Sequence, residues 1–253
     1  MLLTVKDIGN LAPDIWQITL SGDFPYETVR PGQFIMIRIG SGKEHILRRP
    51  ISIAAVTEES LTIVLRVVGK GTKWLSERRI GEWLDVLGPL GRGFPNPPRD
   101  AKVLIVGGGL GVPPLYLLGE ILKTETDKVD IVLGFRSQRD CILTDDFSRL
   151  GRLVVTTDDG SFGMKGNVID AVDSLRSSGC RWEYVYACGP LPMLRHLKGY
   201  FSDQNVNGYV SLEERMACGV GACHGCVCPS EDRSLARRIC VNGPVFPWNE
   251  VSL

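Results

Sequence analysis

The chain has 253 residues, and its 29 Lys and Arg residues balance 29 Asp and Glu residues, so its formal net charge is zero. Hydrophobic residues make up 43% and charged residues 23% of the chain, which excludes a disordered, collagenous or coiled-coil protein. The balanced charge offers no basic field to nucleic acid or anionic lipid. No apolar run reaches the roughly 20 residues of a membrane span. We therefore expect a cytoplasmic protein whose eight cysteines are thiols or metal ligands.

Residues 1–98 have the pattern of an all-β domain. Short apolar or alternating runs are separated by turn signals such as the one at 41–43. Strands are predicted at 15–20, 33–39, 51–56, 61–68 and 83–87, and one helix at 71–79. The segment 88–98 is too rich in Gly and Pro to continue a strand, so the domain is expected to end there. Many short strands at this spacing predict a sandwich or a small barrel.

The next part, residues 99–211, alternates between strands and helices. Residues 102–106 form a nearly continuous apolar run, as in a strand that is covered on both faces. Further strands are predicted at 129–135, 153–157, 184–187 and 208–211, and helices at 115–122, 168–177 and 192–203. This alternation predicts a doubly wound parallel sheet. The pattern stops after residue 212, and 212–253 is treated as a separate segment in which cysteines and glycines dominate.

Four cysteines of the C-terminal segment have the spacing of an iron–sulfur site. Cys218, Cys223 and Cys226 follow a C-x4-C-x2-C pattern, and Cys240 comes after thirteen further residues. Plant-type ferredoxins hold a [2Fe–2S] cluster with this spacing. Interleaved glycines are predicted to let backbone N–H groups approach the sulfurs closely. A structural zinc site is the alternative, although zinc sites of this kind commonly pair two C-x2-C arms and this segment has one.

The remaining cysteines and the nearby histidine are predicted not to bind the metal. Cys228 falls outside the spacing rule, and Cys141 and Cys180 are expected to be inert thiols, because free cysteines are commonly buried. His224 lies inside the cysteine loop, but a Rieske-type centre needs two histidines and the others are far away in sequence. The predicted ligands are therefore four cysteines.

A glycine-rich turn at 107–111 joins a predicted strand to a predicted helix. Glycines allow close backbone approach and a helix N-terminus favours an anion, so this turn is a candidate phosphate-binding site. It does not follow the strict G-x-G-x-x-G pattern, and a simple tight turn is the alternative. Dinucleotide-binding domains usually have an acidic residue at the end of the second strand, and here Arg136 stands near that place. Either Arg136 favours the 2′-phosphate of NADP, or it is an ordinary solvated charge. The choice between NADH and NADPH therefore stays open.

Two features of the β domain are candidate anion sites. Arg48 to Ser52 places two cations and a hydroxyl at the start of a predicted strand. Gly69 to Thr72 opens the predicted helix, where backbone N–H groups are free to bind an anion. The alternative for this segment is a charged turn followed by a helix with Thr72 as its N-cap.

Taken in order, these motifs resemble the ferredoxin–NADP reductase superfamily. Nearly the whole chain is similar to one branch of it, the electron-transfer subunits of NAD-linked (type B) dihydroorotate dehydrogenases. The residues that carry the resemblance are 49–52, 71–72, 107–114, 157–161, 188–190, Met193, 211–223 and 240–246. The last two stretches are the most specific. One departure is Asn242, where the branch is expected to have Asp.

The resemblance implies a fold and a set of cofactor-binding residues. It implies FAD on an antiparallel β-barrel, NAD(H) on a doubly wound parallel α/β domain, and a [2Fe–2S] cluster on a small C-terminal segment. The residues implied for FAD are Arg49, Pro50, Ile51, Ser52, Leu65, Arg66, Val67, Gly71 and Thr72. Those implied in the nucleotide-binding domain are Gly107, Gly108, Gly109, Gly111, Gly160, Ser161, Cys188, Gly189 and Pro190. The implied cluster ligands are Cys218, Cys223, Cys226 and Cys240.

The implied function is a relay between NADH, FAD, the cluster and an external acceptor, with either direction allowed and no side-chain nucleophile required. No motif in the chain is suited to binding dihydroorotate. The resemblance therefore assigns its oxidation to orotate, in pyrimidine biosynthesis, to an FMN-containing catalytic subunit. It implies a heterotetramer with two copies of each subunit. A reductase subunit of a sulfide or polysulfide reductase or of a transhydrogenase is the alternative in the same class. A zinc-stapled interaction module is the alternative in a different class.

Overall fold

A computed structural model of the chain describes residues 1–41 and 45–253, so the turn predicted at 41–43 lies mostly outside the described residues. The first part contains the strands β1 (Leu2–Ala12), β2 (Ile15–Gly22), β3 (Phe34–Ile37), β4 (Arg49–Val56), β5 (Ser60–Arg66) and β6 (Trp83–Leu90). They close an antiparallel barrel in the order β1-β2-β5-β4-β3-β6. Ile35, Ile37 and Ile63 are fully buried inside it. The implied barrel is confirmed.

The barrel departs from the predicted elements in three places. The sequence pattern does not predict β1, because a bulge between Val5 and Asp7 breaks the alternation of buried and exposed residues. The expectation that strand structure ends before residue 88 is wrong, since β6 continues to Leu90, which pairs with Phe34. The helix α1 (Lys70–Ser76) is shorter than predicted, because the backbone leaves the helical conformation at Glu77.

The second part is a sheet with helices. Its parallel strands are β7 (Val103–Gly108), β8 (Val129–Phe135), β9 (Arg152–Thr157), β10 (Met164–Lys165), β11 (Tyr184–Cys188) and β12 (Asn207–Ser211). They lie in the order β10-β9-β8-β7-β11-β12. The helices are α2 (Tyr116–Glu125), α3 (Thr144–Ser148), α4 (Val168–Ser177) and α5 (Leu191–Tyr200). The predicted doubly wound sheet is confirmed, with β7 buried along its whole length.

The C-terminal segment contains short elements that the sequence pattern does not predict. They are β13 (Val227–Pro229), β14 (Ala236–Arg238), α6 (Ile239–Asn242) and β15 (Val245–Pro247). The strand β15 pairs antiparallel with β12 and extends the sheet at that edge. Regular structure therefore continues beyond residue 212, where the predicted alternation of strands and helices ends. Elements of three or four residues are not stable alone, so they form only against tertiary partners.

The C-terminal segment lies against both of the other parts. Phe34 and Met36, on the outer face of β3, share a hydrophobic core with Cys226 and Cys240. Arg92, just after the barrel, forms a bridge with Pro244. The segment therefore lies between the barrel wall and the edge of the sheet. Of the helices in the described part of the chain, none has the length and apolar character needed to cross a bilayer.

Candidate cofactor sites

The cysteine loop presents backbone N–H groups to the Cys218 sulfur. The N–H groups of Val220 and Cys223 donate to Cys218 Sγ at 3.4 Å each. These hydrogen bonds lower the pKa of the Cys218 thiol to about 6, so the thiolate is favoured at neutral pH. The left-handed conformation of Gly219 (φ 73°) and Gly221 (φ 81°) allows the loop to fold around this sulfur.

The four predicted ligands occur as two pairs. Cys218 interacts with Cys223, and Cys226 interacts with Cys240 through a side-chain hydrogen bond. Burial and the neighbouring Cys226 raise the pKa of the Cys240 thiol to about 11, whereas the backbone of Gly221 acts in the opposite direction. Two thiol pairs side by side match two irons that take two thiolates each. Among residues 1–41 and 45–253, no three His, Cys, Asp or Glu side chains converge closely enough to hold one metal ion.

Three cysteines outside the predicted ligand set make contacts of their own. Cys228 lies in β13, opposite Arg237 of β14, and burial raises the pKa of its thiol. Cys141 donates to the carbonyl of Ser137 at 3.6 Å. The guanidinium of Arg152 donates to Cys180 Sγ at 2.7 Å.

Asn242, the departure from the branch pattern, has a structural role beside the cysteines. Its Oδ1 accepts the backbone N–H of Arg238 at 2.9 Å, two residues before Cys240. Asp would accept the same hydrogen bond, so Asn preserves the contact. Gly225 differs from the other loop glycines, because a Cβ there would make an ordinary 3.6 Å contact with Cys223 Sγ. The close packing found at Gly219 and Gly221 is therefore not repeated at Gly225.

The residues implied for FAD gather at one end of the barrel. Arg49 begins β4 and packs on α1, where a Cβ on Gly71 would lie 2.6 Å from Arg49 Nε. Arg66 is at the end of β5 and is half-buried. Neither arginine forms an ion pair within the described ranges 1–41 and 45–253. Two cations without carboxylate partners beside a helix start fit the phosphates of a dinucleotide.

The remaining residues implied for FAD would contact a flavin through their backbone and through small side-chain groups. Pro50, Ile51 and Ser52 are half-buried along β4, and Leu65 is buried in the barrel, so only its backbone faces outward. Thr72 is not the N-cap of α1, and this alternative is wrong. The N-cap is Gly69, and Thr72 Oγ1 accepts the N–H groups of Val68 at 2.9 Å and Gly69 at 3.2 Å.

The glycine-rich turn packs against the end of β11. A Cβ on Gly111 would lie 2.3 Å from the carbonyl oxygen of Cys188, and one on Gly108 would lie 3.0 Å from Pro190 Cδ. Gly109 has φ 53° and open space where a Cβ would stand. The turn and the Cys188-Gly189-Pro190 segment therefore form one surface where β7 meets β11, the point at which the strand order reverses and ligands bind in such sheets.

Cys188 is a protonated thiol in this surface. Burial raises the pKa of its thiol to about 12, and a hydrogen bond with Ser211 opposes the shift. A thiol is a weak nucleophile compared with a thiolate. Cys188 is therefore suited to a packing role beside a bound ligand.

Gly160 and Ser161 lie farther along the same sheet edge, after β9. Ser161 Oγ donates to Asp159 Oδ1 at 2.6 Å and accepts the backbone N–H of Gln138 at 2.7 Å. The hydrogen bonds from Ser161 hold the pKa of Asp159 below its usual range. Ser137, Gln138, Arg139, Asp159 and Ser161 line an open cleft of about 500 Å³.

Tertiary contacts bring most of the predicted residues together. The strand β4 packs against α2 and the turn 113–115, and β5 packs against the turn 109–111. The residues implied for FAD, which lie at this end of the barrel, therefore face the glycine-rich turn. Gly160 and Ser161 are set apart, since β8 lies between β9 and β7. Sequence patterns do not single out Gln138, and Asp159 is named only within the stretch 157–161 that carries the resemblance. The Asp159-Gly160-Ser161 turn was the available signal, because Asp commonly hydrogen-bonds backbone two residues later.

Comparisons with known proteins agree with this arrangement. The profile of the "Iron-sulfur cluster binding domain of dihydroorotate dehydrogenase B" matches residues 213–252. The chain is 41% identical to the dihydroorotate dehydrogenase B (NAD(+)) electron transfer subunit of Fusobacterium nucleatum, over 99% of this chain and 97% of the relative. It is 43% identical to the subunit of the same name from Bacillus cereus strain G9842, over 99% and 98%.

Solved structures share the fold. A chain of the NADH-dependent reduced ferredoxin-NADP oxidoreductase superposes with a TM-score of 0.88 at 32% identity, over 100% of this chain and 90% of that one. A ferredoxin NADP+ reductase from Neisseria gonorrhoeae superposes with a TM-score of 0.69 at 17% identity, over 85% and 94%. The second likeness concerns the fold alone.

Proposed function

Because the chain belongs to the family of dihydroorotate dehydrogenase B (NAD(+)) electron transfer subunits, we propose that it carries electrons between NADH and the catalytic subunit of that enzyme. The catalytic subunit interconverts dihydroorotate and orotate in pyrimidine biosynthesis. The observation that carries the proposal is the match of 41–43% identity along 97–98% of the relatives' length, together with the paired cysteines.

Three cofactors are assigned to three sets of residues. FAD is held by Arg49 to Ser52, the backbone of 65–67, and Gly71 and Thr72. NAD(H) is held by the glycines of 107–111, Cys188 to Pro190, and Gly160 and Ser161. Cys218, Cys223, Cys226 and Cys240 hold the [2Fe–2S] cluster. A flavin bound there would supply the chemistry that links the electron pair of a hydride on the nicotinamide to the single electrons of the cluster.

The side chains of this chain bind and orient rather than react. Arg49 and the start of α1 neutralise phosphate charge at the barrel end. Close packing of Gly111 on Cys188 joins the glycine-rich turn to the end of β11, beside the barrel residues that are assigned to FAD. The N–H groups donated to Cys218 stabilise thiolate charge and thereby influence the cluster potential.

The domain division and assembly follow from the same proposal. We assign 1–98 to FAD binding, 99–211 to NAD binding and 212–253 to cluster binding. The relatives' name, electron transfer subunit, implies a catalytic partner. We infer that this partner contains FMN and that two copies of each subunit assemble. Four cluster cysteines and four further thiols favour a reducing, cytoplasmic location.

An anaerobic titration with NADH tests the relay. The purified chain is expected to lose flavin absorbance and then cluster absorbance, and to catalyse NADH-dependent orotate reduction when the catalytic subunit of the same organism is added. Flavin bleaching without cluster reduction would contradict the relay. A sample prepared without oxygen that contains zinc and no iron or sulfide would favour the zinc-stapled module.

A second candidate function has one supporting observation. The chain is 32% identical, over its full length, to a chain of the NADH-dependent reduced ferredoxin-NADP oxidoreductase. A reductase subunit of a transhydrogenase-type complex would share these cofactor sites. The dihydroorotate assay with the added catalytic subunit separates the two functions.

A further inference from the structure

The outer wall of the barrel next to the cysteine loop is unusually apolar. Leu84 and Val86 of β6 point into the barrel, so the alternate residues Trp83 and Leu87 point outward, where they are 63% and 38% exposed. On the neighbouring strand, Leu2 is 61% exposed and pairs with Asp85. An exposed Trp beside two exposed Leu residues on adjacent strands is costly in water unless something covers it.

This wall is continuous with the cysteine loop. Leu87 pairs with Met36 of β3, and Gly219 of the loop rests on the outer side of Met36, where a Cβ would lie 2.7 Å from Met36 Cγ. Val220, the next residue of the loop, is 51% exposed. Because β6 lies between β1 and β3 in the closed barrel, the wall extends from Leu2 across β6 to Met36, against which the cysteine loop packs.

A small charged group lies in the middle of the apolar side chains. The guanidinium of Arg48 donates to Asp85 Oδ2 at 2.8 Å, and Arg38 lies 3.7 Å from the same carboxylate oxygen. Among the residues that the structure describes, two guanidinium groups thus share one carboxylate, so this group of three side chains carries one positive charge in excess. Arg48 also donates to the carbonyl of Asp85 at 2.8 Å, which ties the segment before β4 to β6. Ile46 and Leu47 of that segment are exposed.

The position of the cluster ligands indicates what covers this wall. Cys226 and Cys240 are buried, whereas one side of the loop is exposed at Cys223 and at Val220, which follows the glycine that packs on Met36. Electron transfer slows steeply with distance, so a protein that exchanges electrons with the cluster must approach this exposed side. A partner seated there would also cover the adjoining barrel wall.

We propose that the β6 wall, made of Leu2, Ile46, Leu47, Trp83, Leu87 and Val220, is the docking surface for the catalytic subunit. This inference rests on the proposed function. The partner is expected to present an apolar surface with an acidic side chain opposite the Arg38–Arg48–Asp85 group. Trp83 is expected to be its main anchor, because large aromatic side chains contribute most to binding in interfaces of this kind.

The test uses the full-length chain with bound cofactors and the catalytic subunit from the same organism. Trp83→Glu and Leu87→Glu are each compared with Leu235→Glu. Leu235 is a matched exposed leucine near the β13–β14 turn, and that turn is tied through Glu231 and Lys198 to α5 rather than to the barrel. We expect at least a tenfold weaker complex for the two wall variants and no change for Leu235→Glu. NADH oxidation with ferricyanide as the acceptor should stay at the wild-type rate in all three.

Hydrogen exchange of the wild-type complex gives a second readout that needs no variant. Amides of 83–87 and 219–221 are expected to gain protection when the catalytic subunit binds. Wall variants that bind like the wild type, or a complex without this protection, would overturn the docking surface. Dimerisation of the chain alone through this wall, abolished by Trp83→Glu, would overturn it too. If the wild-type chain forms no complex and supports no dihydroorotate turnover, the proposed function itself fails.

Discussion

The guanidinium of Arg49 lies directly over Gly71, so that a Cβ on Gly71 would stand 2.6 Å from Arg49 Nε and 3.1 Å from its Cζ. This contact joins the start of β4 to the first turn of α1, although 21 residues separate the two along the chain. The two candidate anion sites of the barrel therefore lie side by side.

The first prediction concerns this contact. Gly71→Ala should push the Arg49 side chain out of place, because the new methyl group needs the space of its guanidinium. We expect at least tenfold weaker FAD binding, measured from the flavin released on dilution and gel filtration. Gly9→Ala is the control, since a Cβ at Gly9 meets nothing within 4 Å. Equal flavin retention in both variants would show that the Arg49–Gly71 contact does not support FAD.

The second prediction concerns the packing of the glycine-rich turn on β11. Gly111→Ala would place a methyl group 2.3 Å from the Cys188 carbonyl oxygen, so the turn must move. We expect a loss of about 1–3 kcal/mol in the free energy of unfolding, the usual range for overpacking. The KM for NADH should rise at least tenfold with ferricyanide as the acceptor.

Gly109→Asn is the comparison for this second variant. Space at Gly109 is open, and Asn tolerates its left-handed backbone better than other residues with a side chain. Its effect on thermal unfolding should be smaller than that of Gly111→Ala. A Gly111→Ala protein with an unchanged KM would remove the turn from the NADH site.

The third prediction separates the cluster ligands from the spare thiol. Cys226→Ser should lower the iron and acid-labile sulfide content to a small fraction of the wild-type value, because one thiolate of the Cys226–Cys240 pair is lost. Cys228→Ser should retain both the iron and the sulfide, although Cys228 is only two residues from Cys226 and lies near its thiol. Metal analysis and visible circular dichroism provide the measurement. Loss of the cluster from Cys228→Ser would contradict the assignment of Cys218, Cys223, Cys226 and Cys240.

The fourth prediction concerns Asn242. Asn242→Asp should leave the cluster content and the melting temperature close to the wild-type values, because Asp accepts the Arg238 N–H equally well. Asn242→Ala leaves this part-buried N–H without an acceptor, which costs about 1–3 kcal/mol. Thermal unfolding followed by the cluster absorbance measures both. Identical melting of the Ala and Asp variants would show that this hydrogen bond is unimportant for the cluster segment.

The fifth prediction is a pH dependence at Cys188. Burial raises the pKa of this thiol from 9.0 to about 12, so its thiolate fraction below pH 9 is about a thousandfold smaller in the folded than in the unfolded chain. Alkylation of Cys188 by iodoacetamide at pH 8, followed by peptide mass spectrometry, should be at least a hundredfold slower in the folded protein than in urea.

The same shift has a consequence for stability. Because the folded-state pKa is the higher one, the stabilising effect is complete below about pH 9 and is lost as the pH rises towards 12. Cys188→Ala should therefore lose less stability than the wild type across this window. Equal alkaline destabilisation of the two proteins would indicate that the Cys188 thiol titrates normally.

Local sequence patterns were sufficient for most of the alternating strands and helices of 99–211, although not for the short α3 and β10, and they supplied the predicted set of ligand cysteines. A buried parallel strand is apolar along its length, as β7 is, and ligand spacing in a loop is a property of consecutive residues. The resemblance supplied the barrel and the cofactor sets. Sequence patterns failed to predict strands whose alternation is broken by a bulge, as in β1, and strands of only three residues, as in β13 to β15.

Only the tertiary structure decided which distant residues meet. The packing of Arg49 on Gly71, the pairing of Cys226 with Cys240, and the Trp83–Leu87 wall beside Gly219 each join segments that carry no mutual signal in the sequence. A residue's type and neighbours determine its local conformation, but its partners across the molecule depend on how strands are ordered in the barrel and sheet. For this reason the ligand spacing of the cysteine loop is visible in the sequence, whereas the surface around the loop is not.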